Sequence, residues 1–243
     1  VVGEINNKWG EHVLLSGPIL KVPYNTYTET RIFDEKTKTY STKTETIVAH
    51  AFVFPNSLSI TSHVETKPLN RSIYESVVYT ADIAVNGSFL PIDLIKDDIK
   101  PEDILWEKIE VVLQTSNLKG IRNTPQISFN DRTYGLTPKY GGSFLNTLQS
   151  ETIVGFSSES SEPIEFSFDV KINGSEQLQF IPIGKETEVT MTSNWHSPSF
   201  DGMFLPEDGS RQISNDGFSA TWNVLQINRQ FEQIFLNHLS APD

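Results

Sequence analysis

The chain of 243 residues is 37% hydrophobic and 11% aromatic, enough to bury the core of one large domain or two small ones. Its 31 Asp and Glu against 19 Lys and Arg leave a formal net charge of -12. That balance repels phosphate backbones and anionic lipid and argues against nucleic acid as a partner. The absence of cysteine removes disulfides, thiolate metal sites and cysteine nucleophiles, and suits a compartment where a stray thiol would be oxidised. With no run of eighteen apolar residues, and an opening Val1-Val2-Gly3 without initiator Met or signal pattern, the expectation is a soluble piece excised from a longer protein.

In chain order, residues 2–14 carry a helical spacing, and residues 26–46, dominated by Thr, Ser and charges, read as a long solvated hairpin or a mobile excursion. Residues 47–54, 73–85, 164–172 and 218–224 alternate polar with β-branched or aromatic residues, as half-buried strands do. Turn chemistry stands between them at Pro55-Asn56-Ser57, Asn86-Gly87, Asn130-Asp131, Gly141-Gly142, Asn173-Gly174 and Asp208-Gly209. A short helix is expected at residues 100–104 and a longer one at 225–238, where Ile227, Phe231, Ile234 and Phe235 recur at helical spacing. The predicted fold is mostly β, an antiparallel β-sandwich with a few short helices at its termini.

One internal similarity bears on organisation. Asp82-Ile83-Ala84-Val85-Asn86-Gly87-Ser88 matches Asp169-Val170-Lys171-Ile172-Asn173-Gly174-Ser175, and Glu110-Val111 leads to Ser116-Asn117 as Glu188-Val189 leads to Ser193-Asn194. Either Asn-Gly hairpins simply look alike, or two related halves, residues 1–150 and 151–243, make an elongated sandwich within one domain. Ser157-Ser158-Glu159-Ser160-Ser161-Glu162 would then mark the boundary as a linker or exposed loop.

Several stretches resemble the CreD family of inner membrane proteins. Trp9-Gly10, Leu15-Ser16-Gly17-Pro18-Ile19-Leu20 and Val22-Pro23-Tyr24 are similar to the family segment after its first membrane helix, and Arg71-Ser72-Ile73-Tyr74-Glu75 to its Arg-x-x-Tyr-Glu strand. More specific are Phe180-x-Pro182-x-Gly184, Ser193-x-Trp195-x-x-Pro198-Ser199-Phe200-x-Gly202-x-Phe204-Leu205-Pro206 and Gly217-Phe218-Ser219-Ala220-x-Trp222. The resemblance implies a large domain on the periplasmic side of the bacterial inner membrane, anchored by helices outside this chain. It also implies an association with envelope integrity, colicin tolerance and β-lactam response.

Candidate chemistry is sparse. His196 stands beside Ser193, Ser197, Ser199 and Asp201, the atoms of a hydrolase triad, yet neighbours on one loop rarely form that geometry and no nucleophile-elbow motif is present. Capping and turn roles are the better expectation for these serines. The histidines His12, His50, His63, His196 and His238 have no metal-ligand spacing. Were Asn56-Ser57 the tip of a tight hairpin, His50 and His63 would face each other as a cross-strand pair and titrate near neutrality. No metal and no cofactor is expected.

The surface candidates are Trp195, Phe200, Phe204 and Trp222, a loop-borne aromatic set suited to a glycan or protein partner and equally to plugging the end of a core. Arg71, Tyr74 and Glu75 form a second set in which Arg and Glu balance each other or touch a ligand. The preferred expectation is a non-catalytic interaction or sensing module for an envelope protein or glycan. The alternative is an envelope hydrolase or carbohydrate-active domain, which would need two facing carboxylates in a cleft.

Overall fold

The computed structural model describes residues 12–36, 38–71, 74–139, 145–229 and 231–237, and for residues 70, 71 and 74–76 the backbone alone. Fourteen strands account for most of these: β1 (His12–Asp34), β2 (Thr39–Val53), β3 (Ser57–Arg71), β4 (Tyr74–Phe89), β5 (Glu110–Thr115), β6 (Gln126–Phe129) and β7 (Arg132–Lys139) in the first part. Then follow β8 (Asn146–Ser150), β9 (Ile164–Ser175), β10 (Gln177–Phe180), β11 (Glu186–Ser193), β12 (Gln212–Ser214), β13 (Gly217–Leu225) and β14 (Ile234–Asn237). The order β12-β13-β11-β3-β4-β9-β6-β7-β8-β5-β1-β2-β14 is one continuous hydrogen-bonded path, with β10 beside β1. All pairings are antiparallel except β11 with β3 and β1 with β10, so the sheet is mixed.

Alternation decides what is buried. Along β9, Ile164, Phe166, Phe168, Val170 and Ile172 point inward while Glu165, Ser167, Asp169 and Lys171 point to water. They meet Ala81, Ile83, Val85 and Phe89 of β4 and the aromatic group of Phe129, Tyr134 and Phe156 in a single core that also includes Leu20, Val22, Ala51 and Val111. Of the strands expected at residues 47–54, 73–85, 164–172 and 218–224, residues 47–53, 74–85, 164–172 and 218–224 belong to β2, β4, β9 and β13, and residue 73 lies outside the described residues. Residues 26–46 are the hairpin alternative: β1 and β2 pair without interruption from Leu20↔Val53 to Asp34↔Thr39.

The helices differ from expectation. Helical pieces among the described residues are short 3-10 turns, one of which, Pro101–Asp103, matches the expected short helix. Residues 2–11 of the first expected helix lie outside the described residues, and 12–14 belong to β1. Among the described residues of 225–238, where residues 230 and 238 are not described, the end of β13 is followed by the turn Gln226–Asn228 and then β14, because β2 offers an open edge that satisfies this backbone with strand hydrogen bonds. Ile234 and Leu236 then pack against the core while Phe235 faces water and Ile227 is 88% exposed, so the helically spaced residues share no buried face.

The two Asn-Gly pairs are also not turns. Asn86-Gly87 lies inside β4 opposite Ser59-Leu58 of β3 and Ser167-Phe166 of β9, and Asn173-Gly174 lies inside β9 opposite Thr80-Tyr79 of β4. Each glycine leaves a hole for an aromatic ring on the neighbouring strand. A Cβ at Gly87 would meet the Phe166 ring at 2.8 Å as well as the Ser57 carbonyl, and one at Gly174 would meet the Tyr79 phenol. The filled hole lets Tyr79 Oη donate to the Gln177 carbonyl at 2.6 Å, and burial pushes that phenol far above the usual tyrosine range. Asn173 has the amide orientation that satisfies both ends, its oxygen accepting from Arg122 Nε and Nη2 at 2.8 and 2.9 Å and its nitrogen donating to Thr80 Oγ1. The matched motifs thus sit on adjacent antiparallel strands, with Ile83 opposite Val170, its own counterpart in the repeat.

These holes make a two-sided prediction. Gly87→Ala should lower stability by about 1–3 kcal/mol because the Ser57 backbone cannot yield. Gly135→Ala on β7, where a Cβ meets nothing within 4 Å, should leave stability unchanged or slightly raised. Urea unfolding midpoints of the two variants check this, and equal losses would refute the account.

Candidate functional site

β13 carries Phe218, Ala220, Trp222 and Val224 on its core-facing side, with Trp222 opposite Val189 of β11. Ala220 and Val224 are buried, whereas Phe218 and Trp222 are half-buried because the sheet thins toward its β12 edge. The loop from Asn194 to Arg211 folds back over this lip. Phe200 meets both rings edge-on, 5.5 Å from Phe218 and 5.5 Å from Trp222 between centroids. Polar bonds hold the loop at several points: Asn194 Oδ1 accepts from Thr66 N at 2.8 Å, Ser210 Oγ donates to the Thr221 carbonyl at 2.9 Å, and Asn223 Nδ2 donates to Glu207 Oε1 at 3.0 Å. Gly217 has φ of +137° and no room for a Cβ beside the Ser193 carbonyl, so the entry to β13 requires glycine.

Trp195 is half-buried in the same loop. Its backbone N–H donates to Ser193 Oγ at 3.1 Å and its indole Nε1 donates to the Ser197 carbonyl at 2.8 Å. The indole stacks on His196 at 5.3 Å. Phe204 is half-buried, and Met203 and Leu205 beside it are 75% and 65% exposed. The structure therefore brings Phe200 and Trp222 together as a half-covered extension of the core, with Trp195 on the loop above Ser193. Arg71, Tyr74 and Glu75 are not part of this group: Arg71 pairs with Tyr74 at the far end of the β3–β4 hairpin. Ser193 lies opposite Val64, leaving about seven residues, roughly 23 Å of strand, to that hairpin end.

Of the triad atoms, Ser197 Oγ lies 2.7 Å from His196 Nδ1, but Asp201 Oδ1 accepts from the Gly202 N–H of its own loop. The Ser–His contact is between adjacent, exposed side chains. His50 and His63 do not face each other, because the chain between Val53 and Ser57 crosses from one part of the sheet to another instead of closing a hairpin. His50 is opposite Pro23 and Asn237, and His63 is opposite Asp82 and Thr192, with Nδ1 3.0 Å from Thr192 Oγ1. Among the described residues no group of three His, Asp or Glu side chains is arranged to hold a metal.

Reasoning from sequence missed a groove of about 490 Å³ on the outer face, lined by Ser57, Ser59, Asn86, Asn223 and three carboxylates, Glu165, Glu186 and Glu188. Register explains it: the rows Leu225–Glu186–Ser57–Ser88–Glu165 and Asn223–Glu188–Ser59–Asn86 cross the sheet on its polar side. Its signal was the polar half of each alternation, legible only once the strand order is known.

Fold and surface together define a mostly β domain whose distinctive features are a half-open aromatic lip, a polar outer face and a projecting hairpin. The chain belongs to the CreD family: the pattern of the family described as Inner membrane protein CreD matches residues 1–242. It is 26% identical over 213 residues to the Inner membrane protein CreD of Escherichia coli (strain K12). That match covers 86% of this chain and 44% of the relative, so the chain spans less than half the length of that curated protein. Among the described residues no helix is long and apolar enough to cross a membrane.

His50 supplies a pH dependence. Burial first, and the Lys21 ammonium second, hold its imidazole below the ordinary value of 6.5, while Glu110 opposes them; Lys21 itself pairs with Glu110 at 3.2 Å. The unfolded chain then binds this proton more readily than the folded one. Stability is complete above the unfolded pKa and falls as pH drops through the lowered folded value. Melting temperatures followed from about pH 8 to about pH 5 should contain an acid-side loss that His50→Gln removes; parallel curves for the two proteins would sink this assignment.

Proposed function

We propose that this domain is a non-catalytic interaction or sensing module on the periplasmic side of the inner membrane, presenting its aromatic lip to an envelope glycan or protein. Through that contact it would serve envelope integrity and the response to β-lactams and colicins. Membership of the CreD family supports the envelope setting. The single observation that carries the binding role is that Phe200, Phe218 and Trp222 form an edge-to-face cluster which the fold leaves half-open, next to exposed Met203 and Leu205. Aromatic faces with a hydrophobic rim supply large contact area at low entropic cost, which is what sugar rings and protein anchors require. The net charge of -12 favours neutral or cationic partners over anionic ones.

Thermal melts with peptidoglycan fragments, β-lactams, divalent metals and envelope extracts test this. A ligand at about a hundred times its dissociation constant should stabilise the domain by roughly 2.7 kcal/mol. Trp195 contributes little to the core, so Trp195→Ala is expected to melt near the parent and to lose the shift. Trp222→Ala, which opens the core beside Val189, should melt earlier with or without ligand. A ligand whose effect survives Trp195→Ala and Phe200→Ala undiminished would place binding elsewhere on the molecule.

A further inference from the structure

Beyond Tyr24 and Ala49, β1 and β2 leave the body as a two-stranded arm. Its pairs from Thr26↔Ile47 to Asp34↔Thr39 extend roughly 27 Å. Every described side chain of the arm beyond half-buried Thr26 is exposed, and Phe33 and Tyr40 at its end touch each other, with ring centroids 5.0 Å apart. Two strands with both faces in water are marginal on their own; three or four with a shared face are not. Along the outer edge of β2, β14 reaches only His50, and among the described residues no strand lies beside Tyr40–Val48.

About Thr44 this open stretch pairs residues of complementary rather than identical type, Thr42 and Thr46 excepted. Lys43 and Glu45 flank it, then Thr42 and Thr46, Ser41 and Ile47, and Tyr40 and Val48. Tyr40 is 72% exposed and Val48 is 42% exposed. We propose that this edge is a homodimer interface, in which β2 of one chain pairs antiparallel with β2 of a second copy about a two-fold axis through Thr44. Lys43 would face Glu45 of the second copy, Glu45 its Lys43, and Tyr40 its Val48, so each half of the contact satisfies the other, as an isologous interface requires. Opposite-charge and aromatic with β-branched pairs are the cross-strand combinations that favour antiparallel strands. The result is a four-stranded sheet that removes an exposed edge from each chain.

Charge distribution supports a second copy as the occupant. Within residues 26–46, Arg31, Lys36, Lys38 and Lys43 balance Glu29, Asp34, Glu35 and Glu45, so the whole excess of -12 resides in the rest of the chain. Antiparallel arms hold the two acidic bodies apart by more than the roughly 8–10 Å over which their repulsion acts in physiological salt. The edge of β1 has a related pattern about Thr30, but its base is occupied: Tyr27 Oη donates to Asp103 Oδ1 at 2.8 Å and Leu105 N to the Pro23 carbonyl at 2.9 Å.

Sedimentation velocity of the purified chain over rising concentration tests the interface. The parent should show a monomer–dimer equilibrium, and K43E and E45K should each weaken it at least about tenfold by placing like charges opposite each other. Both side chains are more than half exposed, so neither change should disturb the fold. An equimolar mixture of K43E and E45K should recover dimers, because each Glu of one chain then faces a Lys of the other. In this cysteine-free chain Thr44→Cys should form a disulfide-linked dimer on mild oxidation, and Thr30→Cys should not. A chain monomeric at every concentration, a dimer indifferent to both charge reversals, or cross-linking through position 30 alone would each overturn the proposal.

Discussion

The seam between β4 and β9 is the constraint on which the rest of the molecule depends. Twelve consecutive residue pairs, Val78↔Ser175 to Phe89↔Ile164, join the part of the sheet that leads through β3 and β11 to β13 with the part that leads through β6 and β7 to β1 and β2. A slip of one residue would turn Ile83, Val85, Phe168 and Val170 to water and bring Asp82, Asp169 and Lys171 inward. Two glycines pin the register from inside. Gly87 accepts the Phe166 ring and Gly174 the Tyr79 ring, so only one alignment puts each ring over a position with no side chain.

From that seam the two faces acquire different characters. The inner face is continuous apolar packing that thins toward β12, and its last members, Trp222, Phe218 and Phe200, remain half in water. The outer face is a lattice of Ser, Thr, Asn and Glu in which paired hydroxyls, such as Ser57 and Ser88 at 2.8 Å, replace packing. The aromatic lip belongs to the core and to the surface at once. Both readings of the aromatic residues, plug and contact surface, therefore describe the same atoms.

At the opposite end of the path the chain is closed by a polar clamp. The Arg229 side chain is buried, donating through Nη1 to the Ile183 carbonyl at 2.6 Å and through Nη2 to Gln233 Oε1 at 2.7 Å, while its guanidinium lies 4.6 Å from the Phe231 ring centre. Gln233 in turn donates to the carbonyls of Phe54 and Pro55. Losing the water around a guanidinium is costly, and these partners offset it. The clamp explains why residues 225–237 follow the sheet edge and end as a strand.

What the sequence determined by itself was local. Period-two alternation located the strands of β2, β4, β9 and β13, the Thr-rich stretch read as a solvated hairpin or a mobile excursion, and the spaced aromatics, prolines and glycines of residues 180–222 carried the resemblance to CreD. What only the tertiary structure decided was who neighbours whom. Asn86-Gly87 and Asn173-Gly174 have the chemistry of turns, yet a glycine can equally make room for a ring from a strand about ninety residues distant, and no local signal separates the two uses. The same holds for residues 225–237, whose helical spacing lost to an open β2 edge, and for His50 and His63, which a short intervening segment sends to different strands. Strand order sets the partners of every backbone group and the contents of every face, and it is fixed by long-range burial that a single strand's alternation does not encode.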